Sequence, residues 1–89
     1  MNVIDLFCGC GGFSKGFEQA GFSIRLGIDI WQDAATTYKA NFPHAATIVG
    51  DISNLTGKDL LSAAGMTADE VDVIIGGPPC QGFSLSGKR

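Results

Sequence analysis

The sequence is poor in cysteine, and the few cysteines present do not indicate a disulfide-stabilised fold. The 89 residues include three, Cys8, Cys10 and Cys80, and an odd number in a short chain is not a disulfide framework. Zinc usually takes four ligands, and the fourth would have to be His44, at the far edge of the predicted sheet. We therefore expect no metal site and a reducing, intracellular setting.

Long apolar runs are also lacking. A membrane-spanning helix needs about 20 apolar residues in succession, and no stretch of this sequence approaches that length. Asp5 interrupts the N-terminal apolar run, so the chain does not begin like a signal peptide. We expect no membrane partner and a cytoplasmic location, associated with the nucleoid if the source is bacterial.

The sequence also lacks an excess of positive charge. The net charge is −3 at pH 7 and the sequence pI is about 4.7, whereas a free-standing nucleic-acid-binding domain is usually basic. Lys88 and Arg89 are basic, but two charges do not make a patch. Charge alone therefore favours a small-molecule site over unaided DNA binding.

Glycine, by contrast, is abundant, and its 13 residues cluster near the ends of apolar runs. Four such runs predict buried parallel strands, and the stretches between them predict helices. The strands are 2–6, 23–28, 46–49 and 71–75, and the helices are 12–20, 32–41 and 57–64. The first helix would place Phe13, Phe17 and Ala20 on one face. Thr56 would cap the third helix, and Thr67 with Glu70 would cap one further turn.

The alternation of strand and helix predicts a doubly wound α/β fold with a parallel sheet. Right-handed crossovers give the order 3-2-1 for the first three strands, and in the common doubly wound order the fourth strand lies beside strand 1. The predicted order is therefore 3-2-1-4, and strands 1 and 4 flank the point where the order reverses. Ligands bind there, outside the carboxyl ends of the strands. The glycine-rich segments 7–14 and 76–84 follow strands 1 and 4, so we expect them to lie together.

The glycines of segment 7–14 permit a sharp turn and a close approach of backbone to ligand. Asp29 ends strand 2, 20 residues after Gly9, where an acid accepts hydrogen bonds from ribose hydroxyls. Asp51 ends strand 3 and could meet an adenine amino group, with Ile52 packing on the ring. Ser14 stands where the dinucleotide fingerprint G-x-G-x-x-G requires its third glycine.

Those residues leave alternatives open. The ligand could be a nicotinamide dinucleotide or S-adenosylmethionine, or the loop could simply join strand to helix. Asp5 could be a solvated or helix-capping carboxylate, or it could steer the loop or the cofactor's amino group. Asp51 could be no more than a turn residue. Cys8 and Cys10 are expected to be small apolar residues lining the loop.

The second segment carries a candidate nucleophile. Pro78 and Pro79 stiffen the backbone before Cys80, which lowers the entropy cost of attack by a thiolate. The polar, glycine-punctuated stretch 81–89 is typical of a loop that closes over a substrate. An inert buried cysteine is the alternative, but the sequence around Cys80 disfavours it. No obvious base adjoins Cys80 in the sequence.

Both segments resemble motifs of the C5-cytosine DNA methyltransferases. DLFCGCGGFS at 5–14 resembles the first motif, and GGPPCQGFS at 76–84 with SGKR at 86–89 resembles the nucleophile motif. Asp29-Ile30-Trp31 and Gly50-Asp51-Ile52 resemble the second and third. The resemblance covers nearly the whole chain and implies a Rossmann-like fold that binds S-adenosyl-L-methionine.

The resemblance also implies a reaction and a set of site residues. The Cys80 thiolate would add to C6 of a flipped-out cytosine, which makes C5 nucleophilic towards the methyl group. The implied cofactor-binding residues are Asp5, Phe7, Cys8, Gly9, Cys10, Gly11, Gly12, Asp29, Ile30, Asp51, Ile52 and Pro79, of which Pro79 would also touch the base. The implied DNA contacts are Gln81, Ser84, Ser86, Lys88 and Arg89.

The family's later motifs, Glu-Asn-Val and Arg-x-Arg, and its target-recognition region do not occur in the sequence. We therefore expect residues 1–89 to be the N-terminal portion of a catalytic domain, from a truncated form or a split enzyme, and inactive alone. Its partners would be double-stranded DNA, through the complete enzyme, and the missing C-terminal part or a complementing subunit. A cofactor-binding or assembly module without activity, and an RNA cytosine methyltransferase, are the alternatives.

Overall fold

A computed structural model describes residues 1–77 and gives the predicted α/β architecture. The four strands are parallel and lie in the order β3-β2-β1-β4, which confirms the predicted order. In sequence order the elements are β1 (Asn2–Asp5), α1 (Gly12–Gln19), β2 (Ser23–Asp29), α2 (Gln32–Asn41), β3 (Ala46–Val49), α3 (Gly57–Ala64) and β4 (Val71–Ile75), with 3-10 turns at Ile52–Asn54 and Ala68–Glu70.

Small differences at the element ends bear on the site. β1 stops at Asp5 rather than residue 6, and β2 continues through Asp29. Asp5 pairs in register with Gly27 on one side and Ile75 on the other. The carboxyl ends of β1 and β4 are therefore aligned, whereas β2 runs two residues beyond Gly27 and ends level with Val49 of β3.

The sheet separates two apolar clusters, and an irregularity in the pairing of β1 with β2 places Ile24 and Leu26, two residues apart, on opposite sides of it. On the side of α1 and α2, the cluster includes Val3, Ile24 and Phe42. On the side of α3, it includes Ile4 and Leu26. With both faces covered, the strands can be apolar throughout, and this explains the continuous runs in the sequence.

Helix α1 packs differently from its apolar pattern. Phe13, Phe17 and Ala20 do share one face, as predicted, and with Phe22 they line a shallow groove. The buried residue of the helix, however, is Ser14, whereas Phe13 is 57% exposed. The hydroxyl of Ser14 points towards the sheet because it bonds there to the buried Asp5 carboxylate and lies beside the Tyr38 phenol.

The caps behave as the sequence predicts. Thr56 Oγ1 accepts a hydrogen bond from the Asp59 N–H at 3.2 Å, and Asp59 Oδ2 accepts one from the Thr56 N–H at 2.8 Å. Gly65 ends α3 in the left-handed conformation, with φ of 69°. Thr67 and Glu70 form the second capping box.

Strand β4 is the last strand of the described sheet and has no neighbour beyond it among residues 1–77. Ile74 is 60% exposed on this strand, and beside it lies an apolar hollow that includes Leu60 and Leu61. Among the residues described, each helix is too short or too polar to span a bilayer.

Candidate cofactor site

A cavity of about 370 Å³ lies at the carboxyl ends of the strands. Small-molecule sites usually enclose about 300–1,000 Å³. Segments that follow each of the four strands contribute to it. Its lining residues are Leu6, Phe7, Gly9, Asp29, Ile30, Gly50, Asp51, Ile52 and Gly77. The predicted meeting of the loops after β1 and β4 therefore occurs as far as Gly77, the last described residue.

Asp29 ties the glycine loop to β2. Its Oδ2 accepts the Gly9 N–H at 2.8 Å, and its Oδ1 accepts the Trp31 N–H at 2.9 Å. Each carboxylate oxygen can accept a second hydrogen bond. Asp29 can therefore hold the loop and still accept hydrogen bonds from a ligand in the cavity.

Asp51 occupies the same wall of the cavity and also organises the turn after β3. Its Oδ1 accepts the Ser53 N–H at 2.9 Å and the Ser53 hydroxyl at 2.7 Å. These hydrogen bonds hold the pKa of Asp51 below its usual value. The position of Asp51 is compatible with both interpretations, a turn residue and a residue that meets the adenine amino group. Asp51 organises the turn and also lines the cavity.

Asp5 lies beneath the loop rather than in the cavity. It is 0% exposed, so its interpretation as a solvated carboxylate is wrong. Its Oδ2 accepts the Ser14 hydroxyl at 2.8 Å, and its Oδ1 accepts the Phe7 N–H at 3.3 Å. Burial raises the pKa of Asp5, while the hydrogen bonds from Ser14 and Phe7 oppose that shift.

The two cysteines of the loop have different surroundings. Cys8 is buried in the α1–α2 side of the core, whereas Cys10 is exposed. Burial, together with the negative charges of Asp5 and Asp29, raises the pKa of the Cys8 thiol to about 12. Cys10 lies with Gly11 and Gly12 at a hollow on the outer side of the loop. The cavity lining does not include Cys8, Cys10, Gly11 or Gly12, and the role of these four residues in binding remains a prediction.

Within residues 1–77 no group of acidic, histidine and cysteine side chains could hold a metal.

The different surroundings of Cys8 and Cys10 predict selective alkylation. In a Cys80→Ser variant treated with iodoacetamide at pH 8, Cys10 should react, whereas Cys8 should stay unmodified until the chain is denatured, since the thiolate is the reactive form. Peptide mass spectrometry over a time course measures both rates. Equal rates for Cys8 and Cys10 in the native chain would contradict the buried position of Cys8.

Several close contacts around the site were not predicted from the sequence. Tyr38 lies over Gly27, where a Cβ would overlap its ring. Gly11 has φ of 107°, and a Cβ there would meet the Phe42 ring at 2.5 Å. Gly77 lies against Phe13, with 2.8 Å from its ideal Cβ to the ring. These contacts join residues far apart in the sequence, so no local pattern predicts them. The high number of glycines is the one sequence feature that hints at close packing of this kind.

The remaining predicted site residues lie outside the described part of the chain. They are Pro79, Cys80, Gln81, Ser84, Ser86, Lys88 and Arg89.

The parallel sheet, its strand order and the cavity at the switch point define a Rossmann-like cofactor-binding unit. Comparison with known proteins narrows the class. The model of the family described as C-5 cytosine-specific DNA methylase matches residues 1–89. The chain belongs to this family, whose methyl donor is S-adenosyl-L-methionine.

Individual relatives agree with the family match. The Type II methyltransferase M.DdeI of Desulfomicrobium norvegicum is 53% identical over 91 residues, covering 100% of this chain and 20% of that protein. A crystal structure described as a DNA modification methyltransferase encoded within an E. coli prophage superposes with a TM-score of 0.82 at 42% identity, covering 99% of this chain and 25% of that one. The crystal structure of a DNMT2 variant from Spodoptera frugiperda superposes with a TM-score of 0.73 at 30% identity, covering 98% of this chain and 25% of that one. The chain thus spans about a fifth to a quarter of these relatives.

Proposed function

We propose that this chain is the cofactor-binding and nucleophile-bearing part of a DNA (cytosine-5-)-methyltransferase. The cavity at the switch point carries the proposal, because it combines an aromatic and apolar surface with two carboxylates. Phe7, Ile30 and Ile52 supply the apolar surface, and Asp29 and Asp51 supply the carboxylates.

These residues suit the nucleoside of S-adenosyl-L-methionine. Phe7 and Ile52 would contact the adenine ring, and Asp51 its amino group. Asp29 would accept hydrogen bonds from the ribose hydroxyls, through the acceptor capacity left by its two backbone contacts. When bound, the cofactor supplies an electrophilic methyl group to the cytosine.

The nucleophile in this proposal is Cys80. Its thiolate forms a bond from sulfur to C6 of the cytosine, and C5 then acts as the carbon nucleophile that accepts the methyl group. Loss of the C5 proton to a base and release of the sulfur restore the aromatic ring and the free thiolate. The cytosine must leave the base stack for this attack, because its C5 and C6 are shielded there.

DNA binding and turnover would require the rest of the enzyme. With a net charge of −3, this chain does not have the electrostatic character of an independent DNA-binding domain. Gln81, Ser84 and Ser86 would contact DNA and Lys88 and Arg89 would lie near phosphates, which position the duplex without reading its sequence. The chain alone is expected to show little or no methyl transfer.

Cofactor binding provides the direct test. Isothermal titration of the chain with S-adenosyl-L-methionine should show binding, with none for NAD at the same concentration. Asp29→Asn should weaken binding roughly 10- to 100-fold, because hydrogen bonds to a charged group are worth about 1.5–3 kcal/mol.

Asp33→Asn is the matched control. Asp33 is an exposed acid in the first turn of α2, outside the cavity lining, and its neutralisation should leave the affinity within about twofold. Stronger binding of NAD, or equal effects of the two substitutions, would remove the basis of the proposal.

A further inference from the structure

Three side chains form a buried series of hydrogen bonds that the proposed chemistry does not use. The Tyr38 hydroxyl lies 2.7 Å from Ser14 Oγ, and Ser14 Oγ donates to Asp5 Oδ2 at 2.8 Å. All three residues are 0% exposed. Since Ser14 gives its only proton to the Asp5 carboxylate, Tyr38 must donate to Ser14. The donors therefore run in one direction, from Tyr38 to Asp5.

The second carboxylate oxygen of Asp5 contacts the backbone of a residue that lines the cavity. It accepts the Phe7 N–H at 3.3 Å, and Phe7 lines the cavity. The neighbouring amides are held by the sheet: Leu6 N–H bonds to the Ile75 carbonyl and Cys8 N–H to the Ile28 carbonyl. Phe7 alone of these three consecutive residues has its amide held by a side chain.

Tyr38 is the fixed end of the series. Its ring lies against the backbone of Gly27, which leaves no room for a Cβ, and its centroid is 4.7 Å from that of Phe42. A ring confined in this way can move its hydroxyl very little. The position of the hydroxyl is therefore set by β2 and α2, remote in sequence from the loop that it supports.

Asp5 depends on these neutral donors. Its side chain forms no ion pair within residues 1–77, and its hydrogen bonds there come from Ser14 and Phe7. Loss of one donor to a buried carboxylate costs more than the same loss at a surface, because water cannot replace it. Loss of the Tyr38 or Ser14 hydroxyl should consequently shift the carboxylate.

We propose that Tyr38 and Ser14 are positioning residues of the cofactor site, which act through Asp5 to fix the backbone of Phe7 and place its ring in the cavity wall. This inference rests on the proposed function in one respect, namely that Phe7 contacts the cofactor. The positioning of Phe7 itself can be measured without any cofactor.

Tyr38→Phe is the test variant, because it removes the hydroxyl and keeps the ring against Gly27. Amide hydrogen exchange of the whole chain, followed by NMR without ligand, should show protection of the Phe7 N–H reduced about three- to tenfold more than that of the Met66 N–H. Met66 bonds to the Leu61 carbonyl on the opposite side of the sheet and reports general stability.

Ile24→Val is the matched control. Ile24 is buried in the same cluster as Tyr38, so the loss of one methylene lowers stability there without removing a hydrogen bond. Protection at Phe7 and Met66 should then fall by equal factors. The inference is overturned if Tyr38→Phe behaves in the same way as Ile24→Val.

Cofactor affinity provides the second readout. Tyr38→Phe should weaken binding of S-adenosyl-L-methionine about three- to tenfold, the effect of roughly one neutral hydrogen bond. In an Asp5→Asn background, or Ser14→Ala if that variant does not fold, it should have no further effect. An undiminished effect there would show that Tyr38 does not act through Asp5.

The two proposals fail separately. If the unaltered chain binds no S-adenosyl-L-methionine, the proposed function fails, and the exchange measurement still decides whether Tyr38 positions Phe7. If the chain binds but protection at Phe7 does not respond to Tyr38→Phe, the positioning role fails and the proposed function stands.

Discussion

Cys80→Ala is expected to abolish both methyl transfer and covalent capture of DNA when this chain is combined with the C-terminal part of a matching methyltransferase. The sulfur is the proposed nucleophile, and loss of a nucleophile from covalent catalysis typically costs roughly a thousandfold or more in rate. DNA with 5-fluorocytosine at the target, supplied together with S-adenosyl-L-methionine, traps the adduct after methyl transfer, because fluorine cannot leave C5 as the proton does. Denaturing gel electrophoresis with labelled DNA measures the adduct.

Ser62→Ala serves as the control, since Ser62 is exposed on α3 and does not line the cavity. It should leave the adduct intact. An adduct that survives Cys80→Ala would assign the chemistry to another residue. A folded complex that forms no adduct with the unaltered chain would favour the alternative of a cofactor-binding module without activity. Preferential capture of 5-fluorocytosine RNA over DNA would favour the RNA-methylating alternative.

Gly27→Ala is expected to destabilise the fold strongly, although it adds only one methyl group. The new Cβ would overlap the fully buried Tyr38 ring in the middle of the core. Overpacking usually costs about 1–3 kcal/mol. Because the Tyr38 ring is confined and cannot move aside, we expect a cost at the upper end, about 3 kcal/mol. Urea unfolding followed by circular dichroism measures the change in the free energy of unfolding.

Gly16→Ala is the matched comparison. Gly16 lies within α1, and a Cβ there would have no neighbour within 4 Å. Alanine should stabilise the chain by about 0.5–1 kcal/mol, because it loses less backbone entropy in a helix than glycine does. If Gly27→Ala were tolerated as well as Gly16→Ala, the close packing of Tyr38 on β2 would be wrong.

The sequence predicts those parts of the fold that depend on local patterns. Apolar runs, glycine stops and the Thr56 cap gave the elements to within a residue or two and the strand order without error. The positions of Asp29 and Asp51 in the cavity wall follow from the same logic, since both lie at the carboxyl ends of strands in one parallel sheet.

What the sequence could not predict depends on contacts across the fold. Ser14 stands out in the sequence only as a departure from the dinucleotide fingerprint, yet it is the buried residue of α1. Its partner Tyr38 is 24 residues away and looks like an ordinary apolar position of α2. The periodicity of a helix or strand shows which face of the element is buried, but not which side chain of another element it contacts. It therefore cannot predict that the side chains of Tyr38, Ser14 and Asp5 meet.

The construction of the cavity from all four strand ends has a thermodynamic consequence. Phe7 and Gly77 both line it, although nearly the whole described chain lies between them, so the complete lining requires that β4 has paired with β1. Closing of the pocket and pairing of β4 are then one event. A ligand held there stabilises the entire sheet by mass action, about 2.7 kcal/mol at a hundred times its dissociation constant. Local opening at the edge strand would release that ligand before the rest of the chain unfolds.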